Sequence, residues 1–565
     1  MVRVTDQDTP PRSLERGFDL LVVNPSPAVT SLSPASVVEG GTSFLLTVRG
    51  SGFVASSVVR WNGEERATFY ANTGLLSAVI SAADIASGGS SSVTVSNSRP
   101  RGGVSDVLML PVVPSTAFAR VSVDSAGAEG HGPSMFPAIS GAGRFIAFES
   151  DADNLVSGDE NRASDIFLRD TCANATPECL PSTIRVSAAM DGEDADGPST
   201  HATISADGRF VAFESEAANL VTGDLNQKKD IFLRDTCQAA SPDCRPRTER
   251  VSSSAMEADA DGTSHDPAVS GNGRFVAFVS DAGNLTAGGL NGAEHIFVRD
   301  TCRGAGGDCR PATSLISVES GEMLSAVSHS EPSLSEDGRY VVFVAEFGTA
   351  ANLRVKSVLV RDTCFGGAEP GCRPSTEIVS MNQAGAMADG DSWRPRISRD
   401  GRYVVFASKA SKLASGSSAS SGSHIRVYLR DTCKGALTAC VPTTRMVSAE
   451  TANRGGGGES LNPSLSGDGR YIVFESSGSD LVAGDSNGQG DVFLADLCNG
   501  AVQCMPLVTR ISSDSTVEAD GASYSPVLSA DGQVVAFASA ARNLVGNDSN
   551  FVADVFMTRR VKSLP

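Results

Sequence analysis

From residue 116 onward, short apolar runs alternate with polar, glycine-bearing turns, and the alternation itself repeats. The pattern S-x-x-G-[RQ]-x-[IV]-[AV]-F starts at Ser140, Ser205, Ser270, Ser335, Ser398, Ser466 and Ser529, so seven copies follow one another at a spacing of 63–68 residues. Periods of this size signal a repeat architecture. Each copy predicts four strands. A short run such as Pro267 to Ser270 leads through a tight Gly turn into a nearly unbroken apolar run (RFVAF), the pattern of a strand buried on both faces. A D-[IV]-F-L-R run and a closing T-x-R-V-S run supply the third and fourth. An R-V-S run also precedes the first copy, at 120–122, whereas the last copy stops after its third strand. Radial packing of four-stranded sheets buries such strands and leaves few open edges. The expected fold is therefore all-β, with a seven-bladed β-propeller over 116–565. A strand at 119–123 completes the last blade by velcro closure. Residues 25–115 show alternating runs broken by Gly, Ser and Asn, as in a small β-sandwich. Residues 1–24 read as the tail of a preceding domain or a linker, with a strand-like apolar run from Phe18 to Val23. On that reading the chain is either a fragment of a longer protein or has its true start further upstream.

Two family resemblances follow from these motifs. Leu32-Ser33-Pro34, Gly50-Ser51-Gly52-Phe53 and Trp61-Asn62-Gly63 make 25–115 resemble the IPT/TIG family. That likeness implies an Ig-like β-sandwich acting as a spacer or adhesive unit, with Trp61 a core residue. The S-x-D-G-R-x-[IV]-[AV]-F and D-[IV]-F-L-R-D motifs make 116–560 resemble the TolB-type, WD40-like β-propeller family. Blade number differs, TolB itself having six, and cysteine pairs and acidic loops are added.

Charge narrows the classes of partner. The net charge is -20, and residues 1–115 carry eight basic and nine acidic side chains, which leaves about -19 on the repeats. Such a chain is not built to neutralise phosphates, which excludes a general nucleic-acid binder, and it would be repelled by anionic lipid. No apolar run reaches the length of a membrane helix. The 12 cysteines fall in six pairs, each between a third and a fourth strand: Cys172/Cys179, Cys237/Cys244, Cys302/Cys309, Cys364/Cys372, Cys433/Cys440 and Cys498/Cys504. No His accompanies the pairs, so disulfide clamps fit better than zinc sites. Bridges imply an oxidising place: extracellular, cell surface or periplasm.

The loops between second and third strands carry G-D-x-N-x-x-x-D. The residues are Asp159, Asn161, Asp165; Asp224, Asn226, Asp230; Asp485, Asn487, Asp491; and Asp548, Asn550, Asp554. Oxygen ligands at such positions are able to hold Ca²⁺, although no Glu stands at position 12 as in an EF-hand. The same residue types make Asx-turns without metal. Both readings stay open at this point.

Repeats within one chain also show where the copies differ. The two residues before the Pro of the first strand vary throughout. Ten of these expected to ring the channel mouth are Met135, Phe136, His201, His265, Asp266, Glu331, Trp393, Arg394, Asn462 and Tyr524. Aromatics, His, Arg and acids are residue types that binding sites use. The sequence has neither an H-E-x-x-H zinc motif nor a G-x-S-x-G nucleophile motif. The leading expectation is a non-catalytic secreted or surface binding protein for a protein, peptide, glycan or cation. Two alternatives stand beside it. One is an extracellular hydrolase or lyase with a site built from His201, His265, Asp266 and Glu331; the other is a structural or adhesive envelope component.

Overall fold

The apolar runs of the repeats form strands where the pattern places them. The computed structural model describes residues 2–5, 13–16, 23–34, 37–38 and 43–560, less 86–88, 114–117, 176–177, 190, 239, 242, 255–257, 288–291, 319–325, 349–353, 367–370, 415–423, 437–438, 449–457, 483, 500–505, 514–517 and 547. It separates into two compact units, 1–115 with 561–565 and 116–560.

The larger unit holds seven four-stranded antiparallel sheets. Their first strands are Ser134–Ile139, Ser199–Ile204, Ser264–Val269, Ala326–Leu334, Ser392–Ile397, Ser460–Leu465 and Ser523–Leu528. Six sheets take their strands in chain order. The seventh takes Asp554–Arg559 beside Val534–Ser539, and its outer strand is Ala119–Arg120 from the start of the unit. That strand is shorter than the 119–123 expected. Val121 N still donates to Val555 O at 2.7 Å, but Val123 N already turns back to Val121 O.

The second strands are buried on both faces, as their unbroken apolar pattern requires: Phe145–Ser150 and Phe210–Ser215 are buried at every residue. Each hydrophobic core lies between neighbouring sheets. Phe145 of the first packs with Phe213 of the second, Phe210 with Phe278 of the third, and so on. The series returns to its start, because Ile146 and Phe148 pack with Val534, Ala536 and Val555 of the seventh sheet and with Val121. The turns between first and second strands repeat this order in hydrogen bonds. Gly141 N donates to Ala206 O, Ala206 N to Gly271 O, and the sequence continues through Glu336, Arg399, Gly467 and Ala530 until Asp531 N donates to Gly141 O. The Gly of the repeated turn is dictated twice over. Gly208 has φ +79°, and a Cβ there would stand 2.2 Å from the Phe145 ring of the preceding sheet.

The repeated Arg of the turn pairs bidentately with the last Asp of the third strand. Arg209 Nε and Nη2 donate to the two Asp235 oxygens at 2.8 and 2.7 Å. The same Asp accepts from Cys237 N, so it anchors the loop that the disulfide closes. Cys172–Cys179, Cys237–Cys244, Cys302–Cys309, Cys364–Cys372 and Cys433–Cys440 are bonded, with Cα–Cα distances of 5.6–5.8 Å. Cys498 is disulfide-bonded as well, while Cys504 lies outside the described residues. Each bridged loop brings an Asp close to two sulfurs, but those sulfurs are spent on each other and offer no thiolate to a metal.

The smaller unit has two sheets around one core. Ala28–Ser33, Phe44–Ser51, Leu75–Ile80 and Thr68–Asn72 form one; the other runs from Val37–Val38 through Leu108–Val113 and Gly89–Asn97 to Val58–Trp61 and Glu64–Glu65. Leu46, Val48, Leu76, Val93, Val95 and Leu110 fill the space between, with Trp61 1% exposed in the same cluster. Trp61 is a core residue and offers no platform to a ligand. Val2–Thr5 pairs with Ser13–Arg16. Of the apolar run expected as a strand from Phe18 to Val23, all but Val23 lies outside the described residues. Among the described residues, no helix is long and apolar enough to cross a membrane.

Candidate functional site

The varied pairs before the prolines build one site. A proline cannot donate to the strand ladder, and here the strand takes up an extra residue as a β-bulge. In the first sheet the register passes from Met135 opposite Glu149 to Ala138 opposite Ala147, so two residues face one. The same shift occurs in all seven first strands. It turns the residue just before the proline or its equivalent into the left-handed region. Phe136, His201, Asp266, Glu331, Arg394, Asn462 and Ser525 have φ between 47° and 56°. Asn and Asp tolerate this conformation, but for the others it costs about 1–2 kcal/mol.

These seven residues converge on a cavity of about 420 Å³, floored by residues one and two positions further along the same strands. Of the ten expected mouth residues, the structure brings Phe136, His201, Asp266, Glu331, Arg394 and Asn462 to this cavity. Met135, His265, Trp393 and Tyr524 do not line it. Each is the first of its pair, still in the ladder before the bulge. Trp393 instead packs against the core between the fourth and fifth sheets, with Lys409 Nζ 5.8 Å from its ring centroid.

Carboxylates fix the bulges from the neighbouring sheet. Asp266 N donates to Glu214 at 2.9 Å, Ser525 N to Glu475 at 2.7 Å, and Arg394 N to Glu331. Phe136 stacks on His201 with ring centroids 5.5 Å apart. His201 Nδ1 lies 3.2 Å from Glu214 Oε1, which Lys229 Nζ also approaches at 2.9 Å. Burial alone would raise the Glu214 carboxyl, but the hydrogen bonds from His201 and Lys229 outweigh it and hold the group at about 2. The same hydrogen bond pushes the His201 imidazole up, against the opposing effect of burial. His265 is engaged elsewhere, with Asp266 at 3.5 Å and Glu294 at 3.3 Å. Asp266 also lies within electrostatic reach of His201, and with His201 and Glu331 it lines the same cavity.

Of the cavity residues that were not among those expected, Ser525 and Arg396 bear most on the site. Ser525 is the second of a pair of which only Tyr524 was singled out. Arg396 comes after the proline, at a level where the other six repeats carry Ala138, Thr203, Ala268, Ser333, Ser464 and Val527. One long cation among six small residues is a signal that alignment of the repeats contains.

The acidic loops are a different feature. In each of four sheets the Arg of an R-x-S strand enters the loop. Arg250 Nη1 lies 3.0 Å from Asp224, and the same guanidinium pairs with Asp259. Arg185 meets Asp159 and Asp194, Arg510 meets Asp485 and Glu518, and Arg120 meets Asp548 and Glu129. The Ser two residues later donates to the last Asp of the motif: Ser187 to Asp165, Ser252 to Asp230, Ser512 to Asp491, Ser122 to Asp554. The Asn oxygens accept backbone N–H groups two residues on, as Asx-turns do, and their amides donate to the same Asp: Asn161, Asn226, Asn487 and Asn550. These contacts fit the metal-free Asx-turn reading of the loops. The loops fold around a guanidinium; Asp165, Asp230, Asp491 and Asp554 accept from Ser and Asn, while Asp548 Oδ1 is buried without a hydrogen bond among the described residues. Burial, then the charge of Asp165 or Asp230, pushes Asp159 and Asp224 up to about 6.

No family model matches the chain, and no curated protein matches it. Among solved structures it is similar to TolB from Acinetobacter baumannii, at 13% identity over 73% of this chain and 75% of that one, TM-score 0.31. It is similar to a puromycin-hydrolyzing peptidase of Mycobacterium tuberculosis, at 13% identity over 80% of this chain and 55% of that one, TM-score 0.41. A third likeness is to an auxiliary nutrient binding protein from Bacteroides ovatus, at 10% identity over 94% and 98% of the two chains, TM-score 0.32. Likenesses this distant carry no argument about what the chain does.

Proposed function

We propose that residues 116–560 form a closed seven-bladed propeller, that residues 25–115 are an Ig-like spacer, and that the protein is a non-catalytic binding protein of an oxidising, extracytoplasmic compartment. The cyclic succession of interfaces and turn hydrogen bonds supports closure. The five described disulfides and bonded Cys498 support the compartment. One observation carries the binding reading: seven side chains, five of them neither Gly, Asn nor Asp, stand in left-handed backbone around one cavity. Glycine would serve the bulge at lower cost, so the side chains are retained for what they face. The ligand is a small molecule, or the end of a peptide, protein or glycan, that enters the cavity. His201 donates to Glu214 and holds its proton, which suits orientation of a ligand better than general-base chemistry.

The test is a thermal-shift panel of peptides, sugars and metabolites on the full chain and on the triple variant Phe136→Gly, His201→Gly and Arg394→Gly. We expect compounds that raise the melting temperature of the parent and leave the variant unmoved. The ligand-free variant is expected to keep a cooperative transition, because the strain that glycine relieves offsets part of the lost His201–Glu214 contact. Hits that stabilise both proteins equally would sink the reading.

A further inference from the structure

Arg396 is the one long side chain at its level of the cavity, and it is exposed there. Its Nη1 donates at 2.9 Å to Pro395 O, the carbonyl of its own neighbour. Among the described residues it has no ion pair. The acids whose charge reaches it are committed: Glu331 accepts from Arg394 N, and Asp266 lies 3.5 Å from the His265 ring. The side chain is open to the cavity, yet the protein around it disfavours its charge. Burial pushes its pKa down and Arg394 adds to this, while Glu331 and Asp266 act in the opposite sense. A guanidinium exposed in a cavity, with its one hydrogen bond among the described residues made to its own strand, is placed to receive an anion. Its planar fork matches a carboxylate by two parallel hydrogen bonds. The wall above it is mixed: Phe136, stacked on His201, and prolines 137, 267, 332, 463 and 526 give apolar surface, beside the polar side chains of Asp266, Arg394 and Asn462. A volume of about 420 Å³ falls within the usual span for small-molecule sites.

We propose that this cavity is a carboxylate-binding site. It takes an organic acid whose carboxylate meets Arg396 and whose apolar or aromatic body lies against Phe136 and the prolines. This rests on the binding reading above and names the ligand chemistry for the same cavity. The carboxylate belongs either to a small free acid or to the C-terminus of a short peptide.

Calorimetric titration of the full chain tests it with paired probes. One pair is 4-phenylbutyrate and 4-phenylbutyramide; the other is N-acetyl-Ala-Phe and its C-terminal amide. We expect the acid of at least one pair to bind at least about tenfold more tightly than its amide, as a lost charge-assisted bidentate contact requires. The pair that shows the difference identifies the source. In Arg396→Gln the preference should vanish, and in Arg396→Lys it should weaken without vanishing. Ligand-free Arg396→Gln should melt no lower than the parent; a drop would reveal a structural role and count against the proposal. Equal binding of acid and amide would overturn the carboxylate site while leaving a binding cavity. Failure of both acids to bind at millimolar concentration would overturn it too, while the glycine-variant panel still judges the cavity itself.

Discussion

At the scale of single residues, the protein places charge where burial makes it costly. Asp159 and Asp224 are pushed up to about 6 from an ordinary 3.8. A carboxyl whose folded value is raised stabilises the fold fully below its unfolded value, and that contribution is lost as pH rises through the folded one. The window here runs from about 3.8 to about 6. Asp159→Asn and Asp224→Asn should therefore look progressively better than the parent as pH rises. The difference in melting temperature, variant minus parent, should be more positive at about pH 8 than at about pH 4. A difference that does not change with pH would contradict the raised values. The pair of Glu214 and His201 runs the other way at each end. Glu214, held at about 2, loses its contribution as pH falls below its ordinary 4.5. His201, pushed up, loses its own as pH rises above its ordinary 6.5 and through the folded value.

At the scale of elements, the unit is a sheet plus the arginine clasp that ties its loop to the following connection. Arg250 is the clearest case, because Asp224, Asp230 and Asp259 all lie within 4 Å of it. Removing one partner of a buried ion cluster leaves unpaired charge and typically costs about 3–5 kcal/mol. Arg250→Met should therefore unfold at clearly lower denaturant concentration than the parent. The parent should show the same melting temperature in EDTA and in millimolar Ca²⁺, because the guanidinium already occupies the acidic loop. A rise of several degrees on adding Ca²⁺ would favour the metal reading. The spacing of Asp, Asn and Asp was legible in the sequence. Its meaning was not, because the arginine arrives from the next strand of the sheet (Arg185 beside Asp159, Arg250 beside Asp224) and, in the last sheet, from Arg120 at the far end of the unit.

At the scale of the whole molecule, 119–122 ties the beginning of the repeat unit to its end. Ala119–Arg120 pairs with Phe556 and Met557, Ser122 Oγ donates to Asp554, and Arg120 enters the seventh loop. Deleting residues up to 123 would expose the edge of Asp554–Arg559 and leave Asp548 and Asp554 without their cation. The shortened chain should associate or aggregate and lose its single cooperative transition, read by light scattering and calorimetry; a monomer with unchanged melting would contradict this role. The sequence by itself determined the seven repeats, the strand order within each sheet and the cysteine pairs. These depend on local period, turn chemistry and short loops, all of which are written in neighbouring residues. It also pointed to the pair before each proline. Only the tertiary structure decided which member faces the cavity, because a bulge breaks the two-residue alternation on which strand reading depends. It alone decided that Arg396 reaches the cavity, since the cavity is made by seven strands brought together from Phe136 at one end of the unit to Val527 at the other. And it alone decided that the acidic loops hold arginine, because a carboxylate's partner is set by what folding brings beside it.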